Sequence, residues 1–219
     1  MQKLFKAAKI ATEVEKAPKK TEETDVEHNP YPRTKYLFFL SPAQVNRAVG
    51  ALGDAWEGKI TKKDAEAILD EQHSVDMGMF GRMVADDAAF NVDAAVQVAH
   101  ALGVHSSAPE FDFYTAVDDL AEEGEETGAG MLGTVQMMSS TLYRYATVNL
   151  DGLAENLDSS ENARDAAVKF VEAFISSMPT GKINTFANQT LPELVYVAVR
   201  NTRPVSLVNA FETPVEATE

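Results

Sequence analysis

The chain has 219 residues, 45% of them apolar and 24% charged, with a net charge of −15 and no cysteine. That is enough sequence for one large domain with a real core, and it excludes disulfides, thiolate metal sites and a cysteine nucleophile. An acidic protein ordinarily repels nucleic acid, but the charge is segregated. Residues 1–63 hold twelve Lys and Arg against eight Asp and Glu, residues 64–130 hold sixteen acids against Arg82 alone, and residues 131–219 hold ten acids against six bases. The middle third therefore supplies the whole excess. The N-terminal MQKLFKAAKI has no apolar signal core, and no window approaches about 18 consecutive apolar residues. A cytoplasmic protein with no membrane segment is expected.

Residues 3–16 have weak helical spacing, with Leu4, Ala8 and Ala11 or Ile10 on one side. Residues 17–33 carry three prolines and many charges and read as a linker or disordered loop. After the apolar run KYLFFLS, residues 41–56 open with a helix signal: Ser41 as cap, Pro42 in the first helical position and Gln44 three residues beyond the cap. Val45, Val49, Leu52 and Trp56 form the expected apolar stripe. A second start follows at Thr61, with Asp64 completing a capping box and Ala65, Ile68 and Leu69 facing inward. Residues 1–74 thus read as a small helical unit.

From residue 75 the texture changes. VDMGMFGRMVAD and NVDAAVQVAHALGVH are short, Gly-broken and rich in small and β-branched residues, and they predict strands, with 92–101 ambiguous between strand and helix. FDFYTAV (111–117) and STLYRYATVNL (140–150) are predicted strands. Residues 160–178 give the clearest helix, with Ser160 as its cap and Pro179 beyond its end. LPELVYVAVRN (191–201) reads as a strand and RPVSLVNAF (203–211) as an extended piece. This order predicts an α+β protein with a ferredoxin-like core.

Catalytic motifs are sparse. The six carboxylates of 118–126 lack EF-hand spacing, and adjacent acids point apart, so a solvated acidic loop is favoured over a calcium site. His100 and His105 are five apart and share no helix face, and no H-E-x-x-H is present. TGKINT (180–185) lacks the first glycine of a phosphate loop and has Ile183 after Lys182, which leaves Lys182 as a loop lysine able to meet one phosphate. Nothing pairs a nucleophile with a base. Neither a catalytic residue nor a metal or other cofactor is expected, although a metal- or nucleotide-dependent enzyme and an acidic protein-interaction domain stay open as alternatives.

Seven blocks stand in the order of one family: FGRMVAD (80–86), NVDAAVQVAHALGVH (91–105), EFDFYTAVDDL (110–120), GAGMLGT (128–134), LYRYATVNLDGLAENL (142–157), PTGKINTFA (179–187) and PVSLVNAFE (204–212). The chain resembles the CasC-type backbone subunit (the Cas-seven family, CT1975-like) of the type I-E CRISPR surveillance complex, Cascade. The likeness is dense from about residue 75 to 212 and loose before it.

The resemblance implies an RRM-like palm over 75–212, a helical finger-like insertion over 1–74, a β-hairpin thumb within 111–145 and a tail at 213–219. It implies a non-catalytic subunit that polymerises along CRISPR RNA, beside neighbouring copies and other Cascade subunits, and presents the guide for pairing with target DNA. It places Met131, Leu132, Gly133 and Thr134 at the thumb tip, with Leu132 and Met131 as an apolar wedge beside a displaced nucleotide. It sets Arg82, Met83 and Phe90 on the other side of that nucleotide. Gly128, Gly130 and Gly133 are expected to let backbone approach the RNA closely. Members of the family begin with a palm strand and a basic segment, so this chain is expected to be truncated at both ends.

Overall fold

The structure, a computed structural model, describes residues 2–14, 31–54, 60–117 and 128–216. In chain order it contains α1 (Gln2–Ala7), β1 (Thr12–Glu13), β2 (Arg33–Thr34), α2 (Pro42–Asp54), α3 (Lys62–Leu69), α4 (Val75–Phe80), β3 (Val96–Val98), β4 (Leu102–Gly103), β5 (Glu110–Val117), β6 (Gly128–Met137), β7 (Leu142–Tyr143), β8 (Ala146–Val148), α5 (Leu150–Asn156), α6 (Ser160–Ser176) and α7 (Ile183–Phe186). The strands pair two by two, as β1–β2, β3–β8, β4–β7 and β5–β6. The fold class is therefore α+β. Among the described residues the strands do not join into one ferredoxin-like sheet.

The chain divides into two compact units, Met1–Gln97 with Thr147–Ala198, and Val98–Ala146 with Val199–Glu219. Val84 and Phe90 pack into the cluster of Leu4, Ala8, Ile10, Ala48, Ala65 and Leu69. The 81–92 loop thus closes the N-terminal helices rather than starting a separate core.

In the first unit, two local caps set the helices. Ser41 Oγ accepts from the Gln44 amide at 3.1 Å, and Gln44 Oε1 accepts from the Ser41 amide at 2.9 Å. Thr61 and Asp64 make the same reciprocal box at the start of α3. The buried face of α2 differs from the expected stripe: Gln44 and Ala48 are fully buried, whereas Val45 and Val49 are exposed. The reason is polar. Gln44 Nε2 donates to the carbonyls of Leu69 at 2.9 Å and Glu71 at 3.0 Å, joining the cap of α2 to the end of α3. The Leu69 carbonyl, at the end of α3, has no partner in its own helix. The side chains of Leu52 and Trp56 lie outside the described residues.

A second cluster joins α4, α5 and α6 through Met79, Ala95, Leu153, Leu157, Ala163 and Ala166. Residues 75–80 form a helix, not the expected strand. Gly78 lies against α5 so closely that a Cβ there would meet Leu157 Cδ2 at 2.8 Å. The small residue marks a helix–helix contact rather than a strand break. Asn156 Nδ2 reinforces it by donating to the Gly78 carbonyl at 2.9 Å. The α6 helix is as expected, but its cap is Ser159, whose hydroxyl accepts from Asn162 N.

The second unit is built on the antiparallel hairpin of β5 and β6, with Phe111 facing Gln136, Phe113 facing Thr134, Tyr114 facing Gly133 and Thr115 facing Leu132. Beside it, β4 pairs with β7, and Tyr143 anchors the C-terminal run. Its hydroxyl accepts from Leu207 N at 2.9 Å, and its ring lies 5.5 Å from Phe211. The 203–211 piece ends in a 3₁₀ turn, Val208–Phe211. The strand expected at 191–201 has no strand partner among the described residues.

Candidate nucleic-acid interface

The described part of the hairpin leaves large apolar side chains in solvent. Phe111, Phe113 and Leu132 are 62%, 67% and 73% exposed. Side chains alternate along a strand, and the register sets Phe111, Phe113 and Thr115 on one face with Gln136, Thr134 and Leu132 opposite them. That face holds no charged side chain. It pairs flat aromatic rings with one aliphatic side chain, a surface suited to stacking on bases and wedging between them. The F-D-F alternation was the sequence signal for the two phenylalanines, which belong to the candidate surface although the sequence reading placed only 131–134 there.

Gly133 acts differently from the expectation. On the opposite face the Tyr114 ring lies over it, and a Cβ there would fall 2.3 Å from Tyr114 Cζ. The missing side chain makes room for a cross-strand ring rather than for a ligand, as aromatic residues do when they cover a strand glycine. Thr134 is exposed beside Leu132. The side chain of Met131 lies outside the described residues, as do the acidic residues 118–126.

In the first unit, Arg82, Met83 and Phe90 do not share one surface. Gly81 turns the chain out of α4 at φ 81° and ψ 173°, a region open essentially to glycine. Arg82 then exchanges both backbone hydrogen bonds with Val92, at 3.0 and 2.8 Å. Extended backbone alternates, so Arg82 points in, Met83 out and Val84 in. Met83 is 78% exposed and Arg82 is 4% exposed.

Inside, the Arg82 guanidinium donates to the carbonyls of Phe90 at 2.9 Å, Leu69 at 3.1 Å and Phe39 at 3.4 Å, and to Asp70 Oδ1 at 3.1 Å. Its Cζ lies 5.2 Å from the centre of the Phe38 ring. Phe90 is fully buried, edge-on to Phe38. Arg82 and Phe90 thus form part of the framework that holds the 83–89 loop. Burial lowers the Arg82 pKa, an effect opposed by the Asp70 charge. Burial raises the Asp70 pKa, against the pull of Arg82 and His73.

Lys182 sits in the left-handed region, φ 58° and ψ 21°, at the start of α7. It is exposed and in no ion pair among the described residues. His105 is committed to main chain: Nδ1 donates to the Ser106 carbonyl at 2.8 Å and Nε2 accepts from Thr141 N at 2.9 Å. Both ring nitrogens are occupied, which removes the His100–His105 metal pair. Among the described residues, no group of three or more His, Asp or Glu side chains is arranged to hold a metal ion. No helix among them is long and apolar enough to cross a membrane.

These features define an α+β protein that holds apolar side chains in solvent on a hairpin and on a loop braced from within. Comparison with known proteins gives the family. A family model described as "CT1975-like protein" matches residues 1–219, and the chain belongs to that family. It is similar to a chain of a "CRISPR RNA-guided surveillance complex, pre-nicking", with 35% identity, a TM-score of 0.76 and coverage of 99% of this chain and 61% of that one. A chain of a second "CRISPR RNA-guided surveillance complex" has 36% identity and a TM-score of 0.60, covering 86% of this chain and 65% of that one. The chain thus spans less than two thirds of the length of either. No curated protein matches it.

Proposed function

We propose that the chain is a subunit of a CRISPR RNA-guided surveillance complex of type I-E, and that it serves as the non-catalytic backbone that binds CRISPR RNA. Copies polymerise along the guide beside other Cascade subunits and present it for pairing with target DNA. In this reading the β5–β6 hairpin is the thumb, the helices of 1–74 are the finger-like insertion, and the remainder contributes to an RRM-like palm. Family membership and the likeness to chains of such complexes support the assignment. The observation that carries the binding role is the bare Phe111, Phe113 and Leu132 face of a hairpin whose register fixes all three side chains together.

Leu132 acts as the wedge at a displaced nucleotide. Thr134 lines it, Met83 contacts RNA from its own unit, and Lys182 meets a phosphate. Arg82, Phe90 and Gly133 shape these elements without touching RNA. Binding by shape and phosphate is indifferent to base sequence and falls steeply with salt. Two unrelated single-stranded RNAs, titrated at rising salt, are expected to bind alike. Leu132→Ala is expected to leave the melting temperature unchanged, since the side chain is exposed, and to abolish ordered RNA-bound filaments in electron micrographs. Filaments that survive this change would sink the wedge and favour an acidic protein-interaction module. Salt-independent binding would sink the backbone role.

A further inference from the structure

Lys3, Lys6 and Lys9 stand three apart in sequence and line one open groove with Gln2, Ile10 and Thr12. All three lysines are exposed, and no lining residue is acidic. Leu4 and Ala8, fully buried in the first hydrophobic cluster, fix α1 from behind. Lys6 and Lys9 are in no ion pair among the described residues. Lys9 also holds an unusual place. It ends α1 in the left-handed region, at φ 59°. Its amide donates to the Lys6 carbonyl at 3.2 Å, and the Ile10 amide donates to the Phe5 carbonyl at 2.8 Å. In a helix ending of this form the left-handed position is ordinarily glycine, because a side chain there is strained. A lysine thus stands where glycine would serve the fold better, and it lines the same groove as Lys3 and Lys6.

We propose that this groove is a second nucleic-acid contact, one that takes the phosphate backbone of a duplex. Charge selects an anion as the occupant. Lysines are seldom covered without a negative partner, and the lining supplies none. The lining also selects a duplex over a single strand. It holds no aromatic ring, and its one large apolar residue, Ile10, is 4% exposed. Unstacked bases therefore find nothing to stack on, and phosphates are all the groove is built to meet. Spacing agrees. The six residues from Lys3 to Lys9 span roughly 9 Å at helical rise, and duplex DNA carries one charge per about 1.7 Å of its axis, so the three lysines face several phosphates. The surroundings have the same sign, since residues 1–63 hold twelve Lys and Arg against eight Asp and Glu. The hairpin face of Phe111, Phe113 and Leu132 is opposite in character, apolar and without charge. The two surfaces suit different ligands, and the groove does not rest on the assignment of the hairpin to RNA.

Fluorescence anisotropy of a labelled random-sequence DNA duplex, titrated with the full 219-residue chain across a salt series, tests it, with a single-stranded RNA titrated alongside. The native chain is expected to bind the duplex with an affinity that falls as salt rises. Replacing Lys3→Gln, Lys6→Gln and Lys9→Gln together is expected to flatten the duplex slope of log affinity against log salt by about 2.7, at about 0.9 per phosphate contact. The RNA slope is expected to stay as it was. Lys9→Gly is the sharper variant. It is expected to raise the melting temperature, by relieving the left-handed strain, while flattening the duplex slope by about 0.9. A lysine serving only the fold would not set stability and binding against each other. A native chain that fails to bind the duplex, as it would if an acidic protein segment fills the groove, overturns the proposal. So does a duplex slope indifferent to the triple replacement, an RNA slope that falls as far as the duplex slope, or a Lys9→Gly chain with full duplex affinity. The RNA reading of the hairpin survives any of these, because it is tested by Leu132→Ala on single-stranded RNA.

Discussion

One guanidinium explains why the loop after α4 is shaped as it is. Arg82 satisfies three carbonyls from three separate stretches, at Phe39, Leu69 and Phe90, and neutralises Asp70. Cutting it back to Arg82→Met keeps the stem but strands the Phe39 and Phe90 carbonyls, leaves the Leu69 carbonyl to Gln44 alone and takes from Asp70 its strongest partner. A loss of about 3 kcal/mol is expected, less than for a wholly buried ion pair because Asp70 keeps some solvent. A urea titration checks it through the unfolding midpoint. Met83→Ala, one residue away and facing solvent, is expected to change stability by no more than about 0.5 kcal/mol while weakening RNA binding. The pair separates framework from contact within two adjacent positions. Gly81 is the third constraint. A Cβ there would approach the Val92 carbonyl oxygen to 2.7 Å at φ 81°, and the obstacle is backbone. Gly81→Ala is expected to cost about 2 kcal/mol or more in the same titration.

At the level of elements, the α3 cap responds to pH in a defined direction. The Thr61 hydroxyl, and then its backbone amide, hold the Asp64 carboxyl below its ordinary value of 3.8. A group whose folded pKa is depressed adds stability above its unfolded pKa and loses it as pH falls through the folded value. The native chain is therefore expected to lose more thermal stability than Asp64→Asn as pH drops below about 4. A series of melting curves at falling pH reads this, and parallel slopes for the two proteins would remove the cap from acid stability. Such caps were legible because their partners lie three residues apart. The β5 strand was legible from alternation and α6 from its period, but β6 was not: the glycines of 128–134 hid it, and the strand expected to close the hairpin was 140–150. The inward face of α2 was not, because Gln44 is buried by carbonyls at the end of another helix. The α4 helix read as strand because Gly78, a helix contact, looks like a strand break. Arg82 was obscure for a related reason: its partners are mostly main-chain oxygens, which leave no mark in the sequence.

Over the whole molecule, charge decides where phosphate can be met. The only base among residues 64–130 is Arg82, and it is buried against Asp70. That third of the chain therefore offers phosphates no exposed Lys or Arg, and in the proposed reading RNA meets it through apolar groups such as Met83 and Phe113. The electrostatic share of binding falls to bases elsewhere, of which Lys182 is exposed and in no ion pair among the described residues. A lysine on one phosphate releases one counterion, which on a single strand changes the slope of log affinity against log salt by about 0.7. Lys182→Gln is expected to flatten the slope by about that amount and to weaken binding equally for unrelated RNA sequences. Leu132→Ala removes no charge, so it is expected to lower affinity at constant slope. Titrating both variants across a salt series separates the two kinds of contact. An unchanged slope for Lys182→Gln would remove that lysine from the phosphate path and leave the other exposed bases to supply the electrostatic part.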